Sequence, residues 1–148
     1  MKINNIKAIG IIMLAMLIQP VAAQGKVKVA IIVGQNVPPI IENGKRYYSN
    51  ASHTLLIAEV SLDGGPIHEE DPESEVEYRW DSLSGVALIP KECTGAKFGP
   101  YKKVVASTLG IPPDIGYSFQ AQAKVVLANG KILFPKSPVA TLFYKSPN

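Results

Sequence analysis

The chain has 148 residues, of which 47% are hydrophobic and 18% charged, and it contains one cysteine. A single cysteine excludes an internal disulfide, so the core alone must stabilise the fold. Two of the fifteen basic residues, Lys2 and Lys7, lie at the extreme N-terminus. Without them, thirteen basic and twelve acidic residues give a net charge of about +1. This charge does not favour nucleic acid or acidic lipid as a partner.

The first 23 residues have the pattern of a secretory signal peptide. Lys2 and Lys7 precede an apolar run over residues 8–18, and Val-Ala-Ala at residues 21–23 is typical of a cleavage site. The run is shorter than the roughly 20 residues that a membrane-spanning helix needs. We therefore expect a single mature domain over residues 24–148 of bacterial source. It would not insert into a membrane after cleavage, and it would be secreted, periplasmic or at the cell surface.

Strand patterns begin directly after the predicted cleavage site. Residues 27–33 are rich in β-branched side chains, and Pro38-Pro39 interrupts the ladder that they would form. Asn43-Gly44 predicts a tight hairpin turn. Over Thr54–Leu62 every second residue is apolar, which predicts a strand with one buried face. The residues on that face are Leu56, Ala58, Val60 and Leu62.

The alternation of apolar and polar residues continues in the second half of the chain. An acidic loop precedes residues 75–80, which place Val76, Tyr78 and Trp80 on one face. Turn signals recur about every ten residues and no helical periodicity is present, so the sequence predicts an all-β fold, an antiparallel two-sheet β-sandwich of seven or eight strands. Further strands are predicted over residues 86–89, 102–109, 117–127 and 139–144.

The longest alternation occupies residues 117–127. The residues between its apolar positions are polar as far as Val126, which predicts a half-buried antiparallel strand. The apolar positions are Tyr117, Phe119, Ala121, Ala123, Val125 and Leu127.

The turn before this strand, Ile-Pro-Pro-Asp-Ile-Gly-Tyr at residues 111–117, resembles the turn before strand F of immunoglobulin-like and fibronectin type III domains. The resemblance implies a tyrosine corner, in which the Tyr117 hydroxyl bonds to the backbone between the two sheets. It also implies that Trp80 is the core tryptophan and that Phe119 stands where true immunoglobulin domains have their second cysteine. The resemblance spans about residues 27–145 and implies a fold, not a function.

Glu69, Glu70 and Asp71 open a run of six acidic residues within nine positions. Ca²⁺ prefers such oxygen ligands, but the spacing is not that of an EF-hand, and a solvated loop accounts for the run. We therefore predict no metal and no cofactor, with calcium as the weaker hypothesis. His53 and His68 lack sequence partners for a zinc site or a catalytic triad, so no catalytic residue and no enzyme activity are predicted.

Tyr47, Tyr48 and Tyr101 lie in predicted turns. Exposed rings there would stack on sugars or anchor a protein interface; the alternative is that some of them belong to the core. Cys93 is interpreted as a small buried hydrophobe rather than a reactive thiol. Asn50 begins a formal N-glycosylation sequon, a motif short enough to arise by chance.

These patterns favour an exported, non-catalytic binding or structural module that mediates protein–protein interaction or adhesion through its loops. The first alternative is a subunit of a self-assembling, pilin-like fibre, which would donate residues 27–33 to a neighbouring molecule. The second is a carbohydrate-binding module that uses Tyr47, Tyr48 or Tyr101. The expected partners are therefore a protein, a second copy of the chain or a glycan.

Overall fold

The computed structural model describes residues 26–35 and 37–146, so the predicted signal peptide lies outside the described residues. Within these residues the fold is all-β, with two sheets packed face to face, as the sequence predicts. No described helix is long and apolar enough to cross a membrane.

Eleven strands, one helical turn and one 3₁₀ turn make up the described part of the chain. They are β1 (Val27–Gly34), β2 (Ile40–Glu42), β3 (Lys45–Ser49), β4 (Thr54–Leu62), β5 (Gly65–Pro66), α1 (Ile67–Glu70), β6 (Glu75–Ser82), β7 (Leu88–Ile89), the 3₁₀ turn Lys91–Thr94, β8 (Lys103–Ala106), β9 (Gly116–Val126), β10 (Ile132–Leu133) and β11 (Ala140–Lys145).

The first sheet has the order β1-β4-β8-β7, with β5 added beside the end of β4. β1 pairs antiparallel with β4 along its whole length, from Val27 opposite Leu62 to Gly34 opposite Leu55. β4 follows its predicted bounds, and its alternate residues Leu56 and Ala58 are fully buried. The N-terminal strand therefore packs in its own domain.

The second sheet is built around β9, the strand with the longest alternation. β6 pairs with one of its edges; β11 and β10 pair with the other, at the start and the end of β9 respectively. β11 then pairs with β3, and β3 forms a hairpin with β2 through Asn43-Gly44. The β11–β3 pair is parallel, the one departure from antiparallel pairing among the described strands.

The core lies between the inner faces of the two sheets. Trp80 on β6 and Phe119 on β9 are fully buried, and they share this layer with Leu56 from the opposite sheet. The Trp80 indole N–H donates to the carbonyl of Tyr101 at 2.7 Å, which satisfies the one polar group of the ring. All five alternate residues of β9 from Tyr117 to Val125 are buried, as predicted.

Hydrogen bonds from Tyr117 and Asn50 hold the crossover from β8 to β9 in place. The Tyr117 hydroxyl lies 3.5 Å from the Pro112 carbonyl, at the outer limit of a hydrogen bond, in the position expected of a tyrosine corner. The Asn50 side-chain amide donates to the Ile111 carbonyl at 2.8 Å. This crossover and the strand order are compatible with an immunoglobulin-like sandwich.

Several segments differ from their expected structure. Tyr47 and Tyr48 were predicted in a turn but lie in β3, because Lys45–Ser49 pairs with both β2 and β11. β7 begins at Leu88, two residues later than predicted.

Residues 67–70 form α1 instead of an open loop: the preceding Pro66 has the φ of −58° that suits a helix start, and the Asp71 N–H closes the turn on the Ile67 carbonyl at 2.7 Å. β8 ends at Ala106, three residues earlier than expected, because Ala106 already lies opposite Thr54, the first residue of β4.

Ser137 supplies a hydrogen-bond acceptor to β9 where the strand beside it is interrupted between β10 and β11. The Ala121 N–H donates to Ser137 Oγ at 3.0 Å, and Ser137 is 2% exposed. Ser137→Ala would leave that buried N–H unpaired, so we expect a loss of about 1–3 kcal/mol in the free energy of unfolding. Urea unfolding measures the loss, with the exposed Ser146→Ala as control. Equal midpoints for the two variants would contradict this role.

Candidate functional site

A pocket of about 460 Å³ lies at one end of the sandwich, where three separate segments meet. These are the start of β1, the connection from β4 to β6 and the hairpin from β9 to β10. Apolar side chains form its walls, and polar side chains also line it. The apolar residues are Val27, Leu62, Leu127, Leu133, Phe134 and Pro135, and the polar ones are Asp63, Asp71, Asn129 and Lys131.

Two tight turns shape the pocket. The β9–β10 hairpin closes through the Leu127 N–H, which donates to the Lys131 carbonyl at 2.9 Å, with Gly130 at a φ of 88°. The Lys131 N–H also donates to the Asn129 side chain at 2.9 Å. After β4, Asp63 and Gly64 both have positive φ, as a two-residue hairpin turn requires. Both rims of the pocket are therefore hydrogen-bonded turns.

Asp63 and Asp71 fasten the segments around the pocket to one another. Asp71 Oδ2 accepts from the Ala128 N–H at 3.1 Å, which joins the β4–β6 connection to the β9–β10 hairpin. Asp63 Oδ1 accepts from the Lys26 N–H at 3.1 Å, which joins the start of β1 to the end of β4. Each bond uses one carboxylate oxygen, so the backbone orients each side chain and the second oxygen takes no part in these two bonds.

Among the charged side chains that line the pocket, carboxylates outnumber ammonium groups. Two carboxylates and one ammonium group, that of Lys131, line it, and none of the three forms an ion pair in the part of the chain that the structure describes. The α1 segment adds Glu69 and Glu70, both exposed, to the same connection. A cation that enters the pocket therefore meets two carboxylates that no ion pair among the described residues occupies.

The weaker calcium candidates Glu69, Glu70 and Asp71 follow one another at the end of α1, with Asp71 as its C-cap. Asp71 already accepts a backbone N–H of the hairpin. Among the described residues, no three His, Cys, Asp or Glu side chains lie together so that they could hold a metal ion. The structure therefore provides no preformed ligand set for the calcium hypothesis.

Tyr47 and Tyr48 point to opposite faces of their sheet. Tyr48 lies opposite Tyr144 and faces the core, with the two ring centroids 6.2 Å apart. Tyr47 is on the outer face, edge-to-face with Phe143 at 6.0 Å. The Lys145 ammonium lies 4.6 Å from the Tyr47 ring centroid and is paired with Glu42. One face of the Tyr47 ring is thus already covered by a fixed cation.

Tyr101 is half-buried against the core, and its carbonyl accepts the Trp80 N–H. None of the three tyrosines lines the pocket, and Tyr101 is not paired with the other two rings. Binding through these rings stays a prediction for a glycan screen to test. The structure instead brings together Leu127, Leu133 and Phe134, which the sequence did not indicate as site residues.

Asn50, His53 and His68 complete the residues that the sequence singled out. Asn50 is 8% exposed, and its side-chain nitrogen is used in the bond to Ile111, so the sequon is not presented to solvent in the fold. His53 and His68 are exposed.

Cys93 is fully buried in the 3₁₀ turn after β7. Burial, with a smaller effect of the Glu92 carboxylate, raises the pKa of the Cys93 thiol from 9.0 to about 11. Because the thiolate is the reactive form, we expect a thiol reagent at mildly alkaline pH to label the native protein only as fast as it unfolds. Labelling should be immediate in denaturant, and fast stoichiometric labelling of the native protein would contradict the burial.

No protein-family model matches the chain, and no curated protein matches its sequence. The functional proposal therefore rests on the fold and on the geometry of the pocket.

Proposed function

We propose that the protein is an exported, non-catalytic binding module with an immunoglobulin-like fold, which holds a protein partner at the pocket between its loops. The location would be secreted, periplasmic or at the cell surface, with the partner on a cell or in the same compartment. The signal-peptide pattern of residues 1–23 supports export.

Three features of the core support the immunoglobulin-like assignment. β1, β4, β8 and β7 correspond in order to strands A, B, E and D, while β6, β9 and β11 correspond to C, F and G. Trp80 then lies on strand C and Tyr117 at the start of strand F. Phe119 fills the position of the missing cysteine, so apolar packing replaces the disulfide between the sheets.

In this correspondence the pocket lies between the loop from B to C and the hairpin from F to G. Loops at that end of the sandwich carry the binding sites of antibody variable domains, because a rigid scaffold positions them. The pocket itself is the observation that carries the proposal: about 460 Å³, apolar walls and hydrogen-bonded rims. Protein interfaces commonly place a buried apolar anchor in such a pocket.

Phe134, the residue that follows β10, adds exposed apolar surface at the mouth of the pocket. It lines the pocket although it is 53% exposed. Large apolar side chains exposed around an apolar pocket are typical of interaction surfaces. A partner that covered them would bury the Phe134 ring together with its own anchor.

A pair of variants on β10 tests the proposal. Leu133 lines the pocket. The neighbouring Ile132, which pairs with Val126 of β9, points to the other face of the strand. We expect Leu133→Trp to fill the pocket and to weaken binding of peptides selected on the natural protein by at least about tenfold. Ile132→Trp should bind those peptides unchanged.

The peptides come from a random-sequence phage-displayed library panned on the purified protein. Both variants must first show the thermal unfolding of the natural protein. Peptides that bind Leu133→Trp as well as the natural protein would overturn the proposal, as would a library that yields no specific binder.

A further inference from the structure

The two carboxylates beside the apolar walls point to the chemistry of the partner. We propose that the pocket recognises a partner segment in which an apolar side chain adjoins a lysine or arginine. This inference rests on the proposed function and adds the class of partner to it.

The apolar half of the recognition comes from the pocket walls. Leu62, Leu127 and Leu133 surround a volume sufficient for one or two side chains. Because these three leucine side chains carry no hydrogen-bonding group, a polar side chain placed against them would lose its water without gaining a partner. The side chain that enters should therefore be aliphatic or aromatic.

The cationic half comes from the two oriented carboxylates. Asp63 and Asp71 each give one oxygen to a backbone N–H, at 3.1 Å in both cases, and each retains a second oxygen. A carboxylate that the backbone already orients loses little side-chain entropy when it binds a cation. Charge-assisted bonds from lysine or arginine to such oxygens are among the stronger hydrogen bonds of proteins.

Three lysines lie near the two carboxylates, and among the described residues none of them forms an ion pair with either. Lys131 lines the pocket together with Asp63 and Asp71. Lys26 and Lys28 line a second depression together with Asp63, whereas Asp71 does not line it. Because Asp71 has fewer lysines beside it, we expect it to contribute more than Asp63.

The test uses the peptides selected on the natural protein. We expect their common feature to be an apolar residue next to lysine or arginine. Replacing the lysine or arginine by uncharged norleucine should weaken binding about fivefold. Asp71→Asn keeps an oxygen acceptor for the Ala128 N–H and removes the charge. It should lower the affinity for the basic peptide but leave that for the norleucine peptide unchanged. Glu73→Gln is the matched control, since Glu73 is exposed on the same connection and does not line the pocket.

Three outcomes separate this inference from the proposed function. The inference is supported if Asp71→Asn lowers the affinity for the basic peptide alone, and if this difference in affinity becomes smaller at high salt. If Leu133→Trp abolishes binding of the peptides but the peptides show no preference for a cation, the inference is overturned and the proposed function stands. The absence of any peptide that depends on the pocket overturns both.

Discussion

Deletion of residues 26–34 is expected to leave a chain that does not fold as a monomer. β1 pairs with β4 at all eight of its residues, and its Val29 side chain is 3% exposed. Val27, Ile31 and Val33 also pack against the core. A fully buried valine contributes about 1.5–3 kcal/mol, and the three partly buried side chains contribute less. Together with the eight-residue ladder, their loss would remove a large share of the roughly 5–15 kcal/mol by which a domain is stable.

Trp80 fluorescence and circular dichroism would follow this loss of structure. A synthetic peptide of residues 26–35 added in excess should restore the native signal, because the groove that it fills is otherwise complete. A deletion variant that unfolds cooperatively at the temperature of the natural protein would contradict the account. It would also exclude the fibre hypothesis, which requires the strand to complete a neighbouring sheet.

Trp80→Ala is expected to lower the free energy of unfolding by about 3–5 kcal/mol. The side chain is fully buried between the sheets, so its removal leaves a cavity lined by both of them. The Tyr101 carbonyl also loses its donor, which lay 2.7 Å away. Trp80 is the largest of the fully buried side chains, so few single substitutions in the core should cost more.

Urea unfolding measures the effect of Trp80→Ala, with two comparisons. Trp80→Phe should retain part of the packing but not the hydrogen bond, and its midpoint should lie between those of the natural protein and Trp80→Ala. Leu83→Ala removes a side chain that is 53% exposed just after the same strand and should change stability by less than about 0.5 kcal/mol. A loss below about 1 kcal/mol for Trp80→Ala would contradict the central place of this ring in the core.

The strands could be predicted from the sequence wherever one face is buried, because burial imposes a period of two. Thr54–Leu62 has its predicted bounds for this reason, and β9 differs by one residue at each end. The short strands were predicted less well: β7 has two residues and β8 four, too few for the pattern to define their ends. The parallel pairing of β3 with β11 has no local signal, since it joins segments about a hundred residues apart in sequence.

Turn chemistry predicted Asn43-Gly44, where both φ values are positive. It did not predict α1. Four residues are too short for helical periodicity to show, and the closing bond from Asp71 N–H to the Ile67 carbonyl is local geometry rather than sequence pattern.

The pocket could not be predicted because its walls come from three distant segments. Leu62 and Leu127 end the apolar faces of predicted strands and were predicted to be buried, whereas Leu133 lies in a two-residue strand that was not predicted. All three lie at the ends of strands and are only partly buried. Asp71 was noted for its charge, whereas its bond to Ala128 depends on the fold. Tyr47 and Tyr48 show the same limit: only the register with β11 separates the outward ring from the core ring.

The central claim, that the pocket binds the partner, is tested most directly by nuclear magnetic resonance of the isotope-labelled protein titrated with a selected peptide. The account predicts that backbone amide shifts change at the start of β1, around Asp63 and Asp71 and along residues 127–134, while the outer face around Tyr47 and Phe143 stays unchanged. Shift changes centred on Tyr47 and Phe143, with none around the pocket, would contradict it.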